Sequence, residues 1–454
     1  MFLKNQKIHF IGIGGIGMSA LACLMFEKGF EISGSDLVDS AILKNLRKKG
    51  IKIFLNQKRK NIADDLDLVI ATLAIDDKNE EILTAKEKGL KVLTYPQALG
   101  EFTKDFELIS VCGTHGKSTV TAMLADIFIK ADLDPTVLLG TKLKSLDGNN
   151  YRVGKSKYFI MESCEYKEAF LNYHPSVILI TNIDPDHLDY YGNAEKYVEA
   201  FEKYIGRLRN GGKIICNSYL KNSQKHFVKF GEGDDNDYIL HNDEICFREG
   251  DNFRESDNMN YRLHGKLNLQ IPGKHNRINA LCAFALAHSL GIDEKIILSA
   301  LNNFTGTWRR LEFKEKMVSG ALLYDDYAHH PAEIKASLQA MRELYPKNKI
   351  IVVFQPHQYS RTKFFLKEFG KSFDLADRVI IPNIYKVRDS DEDVKSVSSQ
   401  DLVAEISKHH KNAEFGDGFE NTAKILKEET KKRDIVVIMG AGDIERLPEM
   451  VLKK

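Results

Sequence analysis

Short apolar runs alternate with helix-like patterns along three stretches of the chain. The first stretch opens with an apolar run at residues 8–12, continues with a helical pattern to Gly29 and then has a short strand that ends near Ser33. The second stretch has strand-like runs at residues 108–112, 158–161, 177–181 and 213–216. The third stretch, after Arg310, has them at residues 322–324, 350–354, 378–381 and 435–439.

Strands that alternate with helices in this way are typical of βαβ units and parallel sheets. We therefore expect an α/β protein with three domains, at residues 1–105, 106–310 and 311–454. Residues 231–272 depart from the pattern, because they are polar and rich in Asp and Asn. We interpret them as hairpins or an irregular excursion inside the second domain.

Composition narrows the class of protein. The chain has 454 residues, and its 65 basic and 64 acidic side chains nearly cancel. This balance argues against a nucleic-acid coat or a membrane-surface protein. The six cysteines form no C-x-x-C pair, which favours a reducing compartment. The chain opens without a signal-peptide pattern and has no apolar run near the roughly 20 residues that span a bilayer, so we expect a cytoplasmic location.

A first glycine-rich loop follows the opening strand and precedes a helix. It contains Gly12, Gly14, Gly15 and Gly17 in a G-x-G-x-x-G pattern, and Asp36 follows the second strand. Such glycines let the backbone approach a pyrophosphate, and an acidic residue at this place can hold a ribose hydroxyl. Three interpretations remain open: an NAD-dependent oxidoreductase, a tight turn without a ligand, and a site for a UDP-sugar.

A second loop also joins a strand to a helix. Gly116, Lys117 and Ser118 form the end of a phosphate-binding loop that begins at Gly113. Backbone N–H groups can cradle phosphates, the lysine can reach the β- and γ-phosphates, and the hydroxyl can bind magnesium. The loop is shorter than the general nucleotide-hydrolase motif. Two phosphate loops weigh against a simple dehydrogenase and suggest one nucleotide that carries the substrate and another that supplies energy.

Polar side chains follow the strands of the second stretch. Because ligands bind at the carboxyl ends of parallel strands, these positions are candidates for a magnesium site that bridges phosphates. The alternative is a capped, solvated loop, the usual fate of Asp-rich and Asn-rich turns. The residues concerned are Glu162, Glu165, Asn182, Asp184, Asp186 and His187.

The third stretch carries polar residues at corresponding places. Asp325 and Asp326 follow one strand, with two histidines after them, and Asp326 could accept a hydrogen bond from a ribose. Paired histidines are often only polar loop residues, and no third zinc ligand lies at a standard spacing. Arg309 and Arg310 lie at the junction of the second and third stretches. Such a basic pair is usually solvated surface, but it could also reach ATP phosphates.

Five motifs in order resemble the Mur ligase family over nearly the whole chain. They are residues 9–19 (HFIGIGGIGMS), 113–118 (GTHGKS), 181–187 (TNIDPDH), 272–279 (PGKHNRIN) and 325–331 (DDYAHHP). The resemblance implies a Rossmann-like N-terminal domain that binds a UDP-substrate, a central ATPase-type domain with a mostly parallel sheet, and a Rossmann-like C-terminal domain that brings the amino acid. The implied reaction joins L-alanine to the lactyl carboxylate of UDP-N-acetylmuramate through an acyl phosphate, with ATP and magnesium, in peptidoglycan precursor synthesis.

The resemblance also assigns site residues. The implied catalytic residues are Lys117, Glu162, His187 and Arg310, and the implied magnesium ligands are Ser118, Glu162 and His187. The implied ATP contacts are Gly113, Thr114, His115, Gly116, Lys117, Ser118, Thr119, Asn276, Asn279, Arg310 and Asp326. The implied UDP-substrate contacts are Gly14, Gly15, Gly17, Met18, Ser19 and Asp36. The implied amino-acid contacts are His330, His357 and Arg361.

The chain departs from the family pattern at four positions. Ser118 replaces the usual threonine but keeps its hydroxyl, and Cys164 stands where an aspartate is common. Ala328 replaces a glycine, and Gln358 stands where the alanine-adding branch has arginine. We expect Arg361 to supply the missing charge. The nearest rival within the family is the recycling branch, which adds a whole peptide to the same nucleotide. We expect no nucleic-acid or membrane partner, and a monomer or weak homodimer.

Overall fold

A computed structural model describes residues 5–217, 227–233, 235–248, 261–387 and 389–453, and these residues form three sheets. By compactness the chain divides into two units. The first unit comprises Met1–Leu269 and Arg277–Phe304, and the second comprises Gln270–Asn276 and Thr305–Lys454. The expected α/β class is confirmed. Within the described ranges, no helix has both the length and the apolar character needed to cross a bilayer.

The first sheet has the strand order β3-β2-β1-β4-β5, and all of its described pairs are parallel. Its strands are β1 (Lys7–Ile11), β2 (Glu31–Ser35), β3 (Lys52–Phe54), β4 (Leu68–Ala71) and β5 (Lys91–Thr94). Its helices are α1 (Ile16–Glu27), α2 (Ala41–Lys48), α3 (Glu80–Glu87) and α4 (Tyr95–Phe102). The strand order reverses at β1, so the first glycine loop lies at the switch point where such sheets bind ligands.

Helix capping distinguishes α1 from its neighbours. The side chain of Ser40 accepts a hydrogen bond at the start of α2, and that of Asn79 does so at the start of α3. The cap of α1 is Gly15, which has no side chain to offer. The first-turn N–H groups of α1 are therefore left for a ligand.

The second sheet has the order β15-β14-β13-β12-β11-β10-β6-β9-β7-β8 among the described strands. They are β6 (Glu107–Cys112), β7 (Thr136–Leu143), β8 (Asn149–Arg152), β9 (Tyr158–Glu162), β10 (Val177–Ile180), β11 (Lys213–Asn217), β12 (Phe227–Gly231), β13 (Tyr238–His241), β14 (Glu244–Arg248) and β15 (Tyr261–Lys266). The helices are α5 (Lys117–Lys130), α6 (Leu188–Tyr191), α7 (Ala194–Ile205), α8 (Lys274–Ser289) and α9 (Glu294–Asn302). The second phosphate loop follows β6, which lies between β9 and β10, so the polar ends of these three strands meet.

Strands β13, β14 and β15, which lie in the polar segment at residues 231–272, extend this sheet. β13 and β14 pair antiparallel, and so do β14 and β15, which confirms the hairpin interpretation for these strands. Residue 234 and residues 249–260 of the interpreted segment lie outside the described residues. The antiparallel pair β7 and β8 was not foreseen in the sequence.

The first two sheets share one hydrophobic core. Leu21 and Leu24 of α1 belong to the same buried cluster as Phe102 of α4 and Phe159 of β9. Phe102 meets Phe159 edge to face, with 6.2 Å between the ring centroids. The expected boundary at residue 105 thus separates two sheets that lie within one compact unit.

The third sheet has the order β16-β17-β21-β18-β19-β20, in which only the described pair β16–β17 is antiparallel. Its strands are β16 (Glu312–Lys316), β17 (Leu322–Asp326), β18 (Ile350–Phe354), β19 (Arg378–Ile381), β20 (Ala413–Phe415) and β21 (Ile435–Met439). Its helices are α10 (Pro331–Leu344), α11 (Tyr359–Phe364), α12 (Leu366–Gly370), α13 (Asp391–Ser396), α14 (Ser399–Ser407), α15 (Gly418–Glu429) and α16 (Leu447–Leu452). The four strands expected here are confirmed, and β17 extends two residues further than expected.

Candidate active site

The second phosphate loop has a backbone that requires its glycines. Gly116, the cap of α5, has a left-handed φ of 81°, and a Cβ on it would lie 2.4 Å from Asn279 Oδ1. Gly113 has a φ of 130°, and a Cβ there would lie 2.2 Å from Thr181 Oγ1. Side chains at either position would fill the space that lets the backbone approach a phosphate.

The end of β10 holds this loop in place. Asn182 Oδ1 accepts a hydrogen bond from His115 N at 2.9 Å, and Thr181 Oγ1 donates to His115 O at 2.6 Å. Thr114 Oγ1 donates to Asp184 O at 2.7 Å. Asn182 therefore supports the phosphate loop through its side chain.

Lys117 is anchored within the loop and paired with a buried carboxylate. Its Nζ donates to the carbonyl oxygens of Gly113 and Thr114 at 2.6 and 2.9 Å. It also lies 3.0 Å from an oxygen of Glu165, whose side chain is 1% exposed. Burial alone would lower the pKa of Lys117, but the surrounding negative charge, chiefly that of Glu165, outweighs it and raises the pKa above its ordinary value. The Lys117 ammonium is thus held in its charged form between the loop carbonyls and Glu165.

Ser118 and Glu162 lie side by side, as expected for a pair that shares a metal. The Ser118 hydroxyl donates to Glu162 Oε2 at 2.8 Å, and the N–H of Gly140 donates to the same oxygen at 3.0 Å. A hydroxyl and a carboxylate next to a phosphate loop are hard oxygen donors that fit magnesium. Over the described part of the chain, no group of three or more His, Cys, Asp or Glu side chains is arranged to hold a metal, so phosphate or water oxygens would have to complete the shell.

His187 lies close to the same carboxylate. Its Nε2 is 3.8 Å from Glu165 Oε1 and 3.9 Å from Asp186 Oδ2. The imidazole ring packs against Tyr166 with 4.7 Å between centroids, and the backbone at His187 has a left-handed φ of 53°. Lys117, Glu165 and His187 therefore form a continuous polar row with Glu165, one of the candidate polar residues after β9, at its centre.

The two asparagines expected near the adenine fall in different compact units. Asn279 of α8 is 8% exposed and lies beside Gly116 of the phosphate loop. Asn276 belongs to the second unit, where its amide donates to Pro272 O at 2.6 Å. Thr119 is buried in the first turn of α5. Only Asn279 is thereby placed at the loop, and the role of Asn276 stays a prediction.

The first glycine loop is held by the acidic residue that follows β2. Asp36 Oδ2 accepts a hydrogen bond from Gly14 N at 2.9 Å, and a Cβ on Gly14 would lie 2.8 Å from that oxygen. The loop also passes close to Tyr95, because a Cβ on Gly17 would lie 2.8 Å from the tyrosine hydroxyl. Asp36 thus supports the loop itself, and its other oxygen accepts a hydrogen bond from Leu37 N at 2.8 Å. The expected ribose contact stays a prediction.

Met18 and Ser19, the other expected UDP-substrate contacts, lie in the first turns of α1 and are both buried. Met18 is 3% exposed and belongs to the core, and Ser19 is 7% exposed. The Ser19 hydroxyl donates to Ile16 O at 3.1 Å. Gly15 caps the helix that contains them, and Ser19 N donates to its carbonyl at 2.8 Å. The Ser19 N–H is therefore used inside the helix, and the expected contacts of Met18 and Ser19 with a nucleotide remain predictions.

In the second unit, the basic pair divides into one buried and one half-buried residue. Arg309 is 1% exposed, its Nε donates to both oxygens of Asp325, and its Nη2 donates to Gly440 O at 2.6 Å. For Arg309 the interpretation as solvated surface is therefore wrong, because Asp325 neutralises it inside the fold. Arg310 has its guanidinium 5.3 Å from the ring centroid of Tyr327 and its Nη1 3.9 Å from Glu333 Oε1, and its expected ATP contact stays a prediction.

The two aspartates at the end of β17 are both buried and both held by hydrogen bonds. Burial raises the pKa of Asp325 to about 6 even though Arg309 pairs with it. Asp326 accepts from the Ser337 hydroxyl at 2.6 Å and from Ala328 N at 3.0 Å, and burial raises its pKa too. A ribose hydroxyl that contacts Asp326 would have to share the carboxylate with these two donors.

The expected amino-acid contacts gather after β17 and β18. His330 caps α10, where its Nδ1 accepts from Ala332 N at 3.3 Å. The ring of His357 packs against Tyr385 with 5.5 Å between centroids. Arg361 is the third residue of α11.

Gln358 has a structural partner. Its side-chain amide donates to Val387 O at 3.2 Å, its N–H donates to Tyr385 O at 3.0 Å, and its backbone has a left-handed φ of 73°. These contacts fix the turn that precedes α11, so they account for Gln358 without an amino-acid ligand. Gln355, which the sequence did not single out beyond its place after β18, is fully buried and bonds Asn383 and Asp443.

Two strand–glycine loop–helix units, a buried loop lysine and an adjacent hydroxyl–carboxylate pair define an α/β nucleotide-dependent enzyme of the phosphate-loop class. Three family models match the chain: the Mur ligase family catalytic domain at residues 7–107, the Mur ligase middle domain at residues 111–287, and the Mur ligase glutamate ligase domain at residues 309–442. The chain belongs to the Mur ligase family, which confirms the resemblance.

Relatives of the chain match it along its whole length. The UDP-N-acetylmuramate–L-alanine ligase of Clostridium kluyveri is 40% identical over 100% of this chain and 99% of the relative. The crystal structure of UDP-N-acetylmuramate-alanine ligase from Thermotoga maritima has a TM-score of 0.80 at 32% identity, with 98% of each chain covered. A murein peptide ligase from Psychrobacter arcticus has a TM-score of 0.73 at 23% identity and 98% coverage of both chains, which shows the shared fold.

Proposed function

We propose that this protein joins L-alanine to the lactyl carboxylate of UDP-N-acetylmuramate, with ATP as the energy source, in the synthesis of peptidoglycan precursors. The observation that carries the proposal is the 40% identity, end to end, with a ligase of that name. The reaction uses one nucleotide as substrate carrier and another as energy source, which accounts for two phosphate loops in one chain.

ATP binds at the second phosphate loop. Gly113 to Ser118 enclose the phosphates with backbone N–H groups, and Lys117 exchanges part of its contact with Glu165 for the γ-phosphate. Asn279, next to Gly116, faces the nucleotide from α8. The family pattern implies two further ATP contacts: Arg310, at the junction of the second and third stretches, and Asp326 of the C-terminal domain. We assign that domain to residues 311–454.

Magnesium fits the residues around the loop. Ser118 and Glu162 would hold one ion, and His187 would hold a second one near the substrate carboxylate. Magnesium bound by these residues would supply positive charge against the phosphate oxygens. Lys117 adds a fixed positive charge from the protein side.

The UDP-substrate binds at the first glycine loop, in the domain that we assign to residues 1–105. The pyrophosphate lies against Gly15 and Gly17 at the uncapped start of α1, and Asp36 contacts the ribose. The lactyl carboxylate then extends toward the central domain, at residues 106–310.

The chemistry proceeds in two steps. The lactyl carboxylate attacks the γ-phosphorus in line, which releases ADP and forms an acyl phosphate. The amine of L-alanine attacks the acyl carbon, and inorganic phosphate leaves as the amide forms. The protein positions the groups and stabilises charge without a covalent enzyme intermediate. His330, His357 and Arg361 bind the amino acid, and Arg361 supplies the charge that its carboxylate needs.

Phosphate release tests the proposal. Purified protein is given ATP and magnesium together with UDP-N-acetylmuramate, L-alanine, both or neither. We expect sustained release only with both, and a product whose mass equals the two substrates joined with loss of water. A peptide that replaces L-alanine distinguishes the recycling activity. Release that ignores the UDP-substrate, or hydride transfer to NAD, would contradict the proposal.

A further inference from the structure

A buried polar cluster lies beneath the first glycine loop, formed by His9, Ser35, Asn61 and Glu81. Glu81 of α3 is fully buried, as are His9 and Ser35, and Asn61 is 3% exposed. The Ser35 hydroxyl donates to Glu81 Oε2 at 2.5 Å, and the Asn61 amide donates to Glu81 Oε1 at 2.7 Å. His9 Nε2 lies 3.6 Å from Glu81 Oε1. None of these four side chains touches the groups assigned to catalysis.

Such a cluster is costly for the fold alone. A carboxylate removed from water loses its hydration, and its hydrogen bonds recover only part of that free energy. Apolar side chains of similar volume often support a fold equally well at such a place. A buried carboxylate of α3 that is hydrogen-bonded to a strand residue of the sheet therefore points to a task of positioning.

The cluster connects directly to the glycine loop through Ser35. The carbonyl oxygen of Ser35 accepts hydrogen bonds from Gly12 N at 2.9 Å and from Ile13 N at 3.0 Å. The next residue, Asp36, accepts from Gly14 N at 2.9 Å. Ser35 and Asp36 together thus accept hydrogen bonds from three consecutive N–H groups of the loop. The side chain of Glu81 in turn accepts a hydrogen bond from the Ser35 hydroxyl.

We propose that Glu81 is a positioning residue for the uridine nucleotide: through the Ser35 hydroxyl it sets the place of the first glycine loop and hence of the pyrophosphate. This inference rests on the proposed function of the loop. Because Glu81 acts on one loop only, its loss should weaken the UDP-substrate and leave ATP binding unchanged. A displacement of a binding loop by a fraction of an ångström is enough to weaken a ligand held by several directed hydrogen bonds.

The test uses Glu81→Gln and Ser35→Ala, with Glu80→Gln as the matched control. Glu80 is the neighbouring residue in α3, is exposed, and pairs on the surface with Lys58 at 2.9 Å. Titration calorimetry measures the binding of UDP-N-acetylmuramate, and steady-state kinetics measure KM for each substrate. For Glu81→Gln and for Ser35→Ala we expect about a tenfold weaker UDP-substrate, with kcat and the KM for ATP within about twofold of wild type.

The outcomes separate this inference from the proposed function. If the wild-type protein does not bind UDP-N-acetylmuramate, the proposed function fails. If it binds and both variants bind equally well while their Tm falls, the cluster serves stability alone and the inference is overturned. Equal losses for ATP and the UDP-substrate overturn it too. A double variant that is no weaker than Glu81→Gln alone supports it, since the two residues act through one contact.

Discussion

Replacing Lys117 by methionine should separate two roles that this lysine has in the central domain. Methionine keeps an unbranched apolar side chain but removes the ammonium group, which donates to two loop carbonyls and pairs with Glu165. The change leaves Glu165 with its side chain 1% exposed and without its cation. We therefore expect two separate losses, one of stability and one of rate.

The expected magnitudes follow from burial. Removing one partner of a buried ion pair costs about 3–5 kcal/mol, because the other charge stays desolvated. For a domain of this size each kcal/mol moves Tm by roughly 2–4 °C, so the ligand-free Tm should fall by at least about 6 °C. The rate loss has a different origin: a charge aimed at the transferred phosphate is worth at least ~3 kcal/mol of barrier, or more than about 100-fold in kcat.

A second substitution distinguishes the two losses. Glu165→Gln removes the unpaired charge, so the double variant Lys117→Met with Glu165→Gln should regain most of the lost Tm but none of the lost turnover. Scanning calorimetry measures Tm without ligand, and phosphate release measures turnover. Lys130→Met is the matched control, since Lys130 ends the same helix, α5, and is exposed.

Two results would refute this reasoning. If Lys117→Met has the same Tm as the control variant, the buried pair contributes nothing to stability. If the variant keeps more than about a tenth of the wild-type rate, a loss of only ~1.4 kcal/mol, the loop has been assigned to the wrong nucleotide.

Three further predictions concern pH, the amino acid and the metal. Burial lowers the pKa of His329 below its ordinary 6.5. The stability that the neutral imidazole contributes is therefore present above pH 6.5 and is lost as the pH falls below it. In calorimetry, His329→Gln should flatten the decline of Tm between pH 7 and 5.5, whereas His409→Gln, at an exposed position, should not. In steady-state kinetics, Arg361→Ala should raise KM for L-alanine at least tenfold, a loss of about 1.4 kcal/mol, while Gln358→Ala changes this KM far less. If Gln358→Ala raises KM more than Arg361→Ala does, the contact with the amino-acid carboxylate belongs to Gln358. Ser118→Thr should retain turnover, and Ser118→Ala should need a higher magnesium concentration for its half-maximal rate. If the rate of Ser118→Ala depends on magnesium concentration as that of the wild type does, the hydroxyl is not a magnesium ligand.

Local sequence patterns predicted the two glycine loops of the site, because each loop directly follows a strand and precedes a helix. A strand followed by glycines and a helix specifies a phosphate loop within a few residues, so both loops could be located from sequence. The pairing of Ser118 with Glu162 was expected only from the family resemblance. The structure places the two side chains together because β6 and β9 are parallel neighbours whose carboxyl ends share an edge, and the order of elements along the chain does not specify this adjacency.

The buried polar pairs could not be predicted in this way. Lys117 and Glu165 are 48 residues apart in sequence, and Ser35 and Glu81 are 46 apart. Nothing in the local pattern shows which polar residue turns inward, since that depends on the partner it meets after folding. Arg309 illustrates the difficulty: as part of a basic pair it resembled solvated surface, yet Asp325 neutralises it inside the fold.

The shared core of the first two sheets has a consequence for how the molecule can be divided. Besides the apolar contacts, the Tyr151 hydroxyl donates to Glu27, and the Asn150 amide donates to Ile16 O at the start of α1. A fragment that ends at residue 105 would expose the apolar face that Phe159 covers, and such a fragment is prone to aggregate. The smallest piece that can be expected to fold and report on nucleotide-sugar binding, for instance in a fragment screen, therefore ends near residue 304, at the limit of the first compact unit.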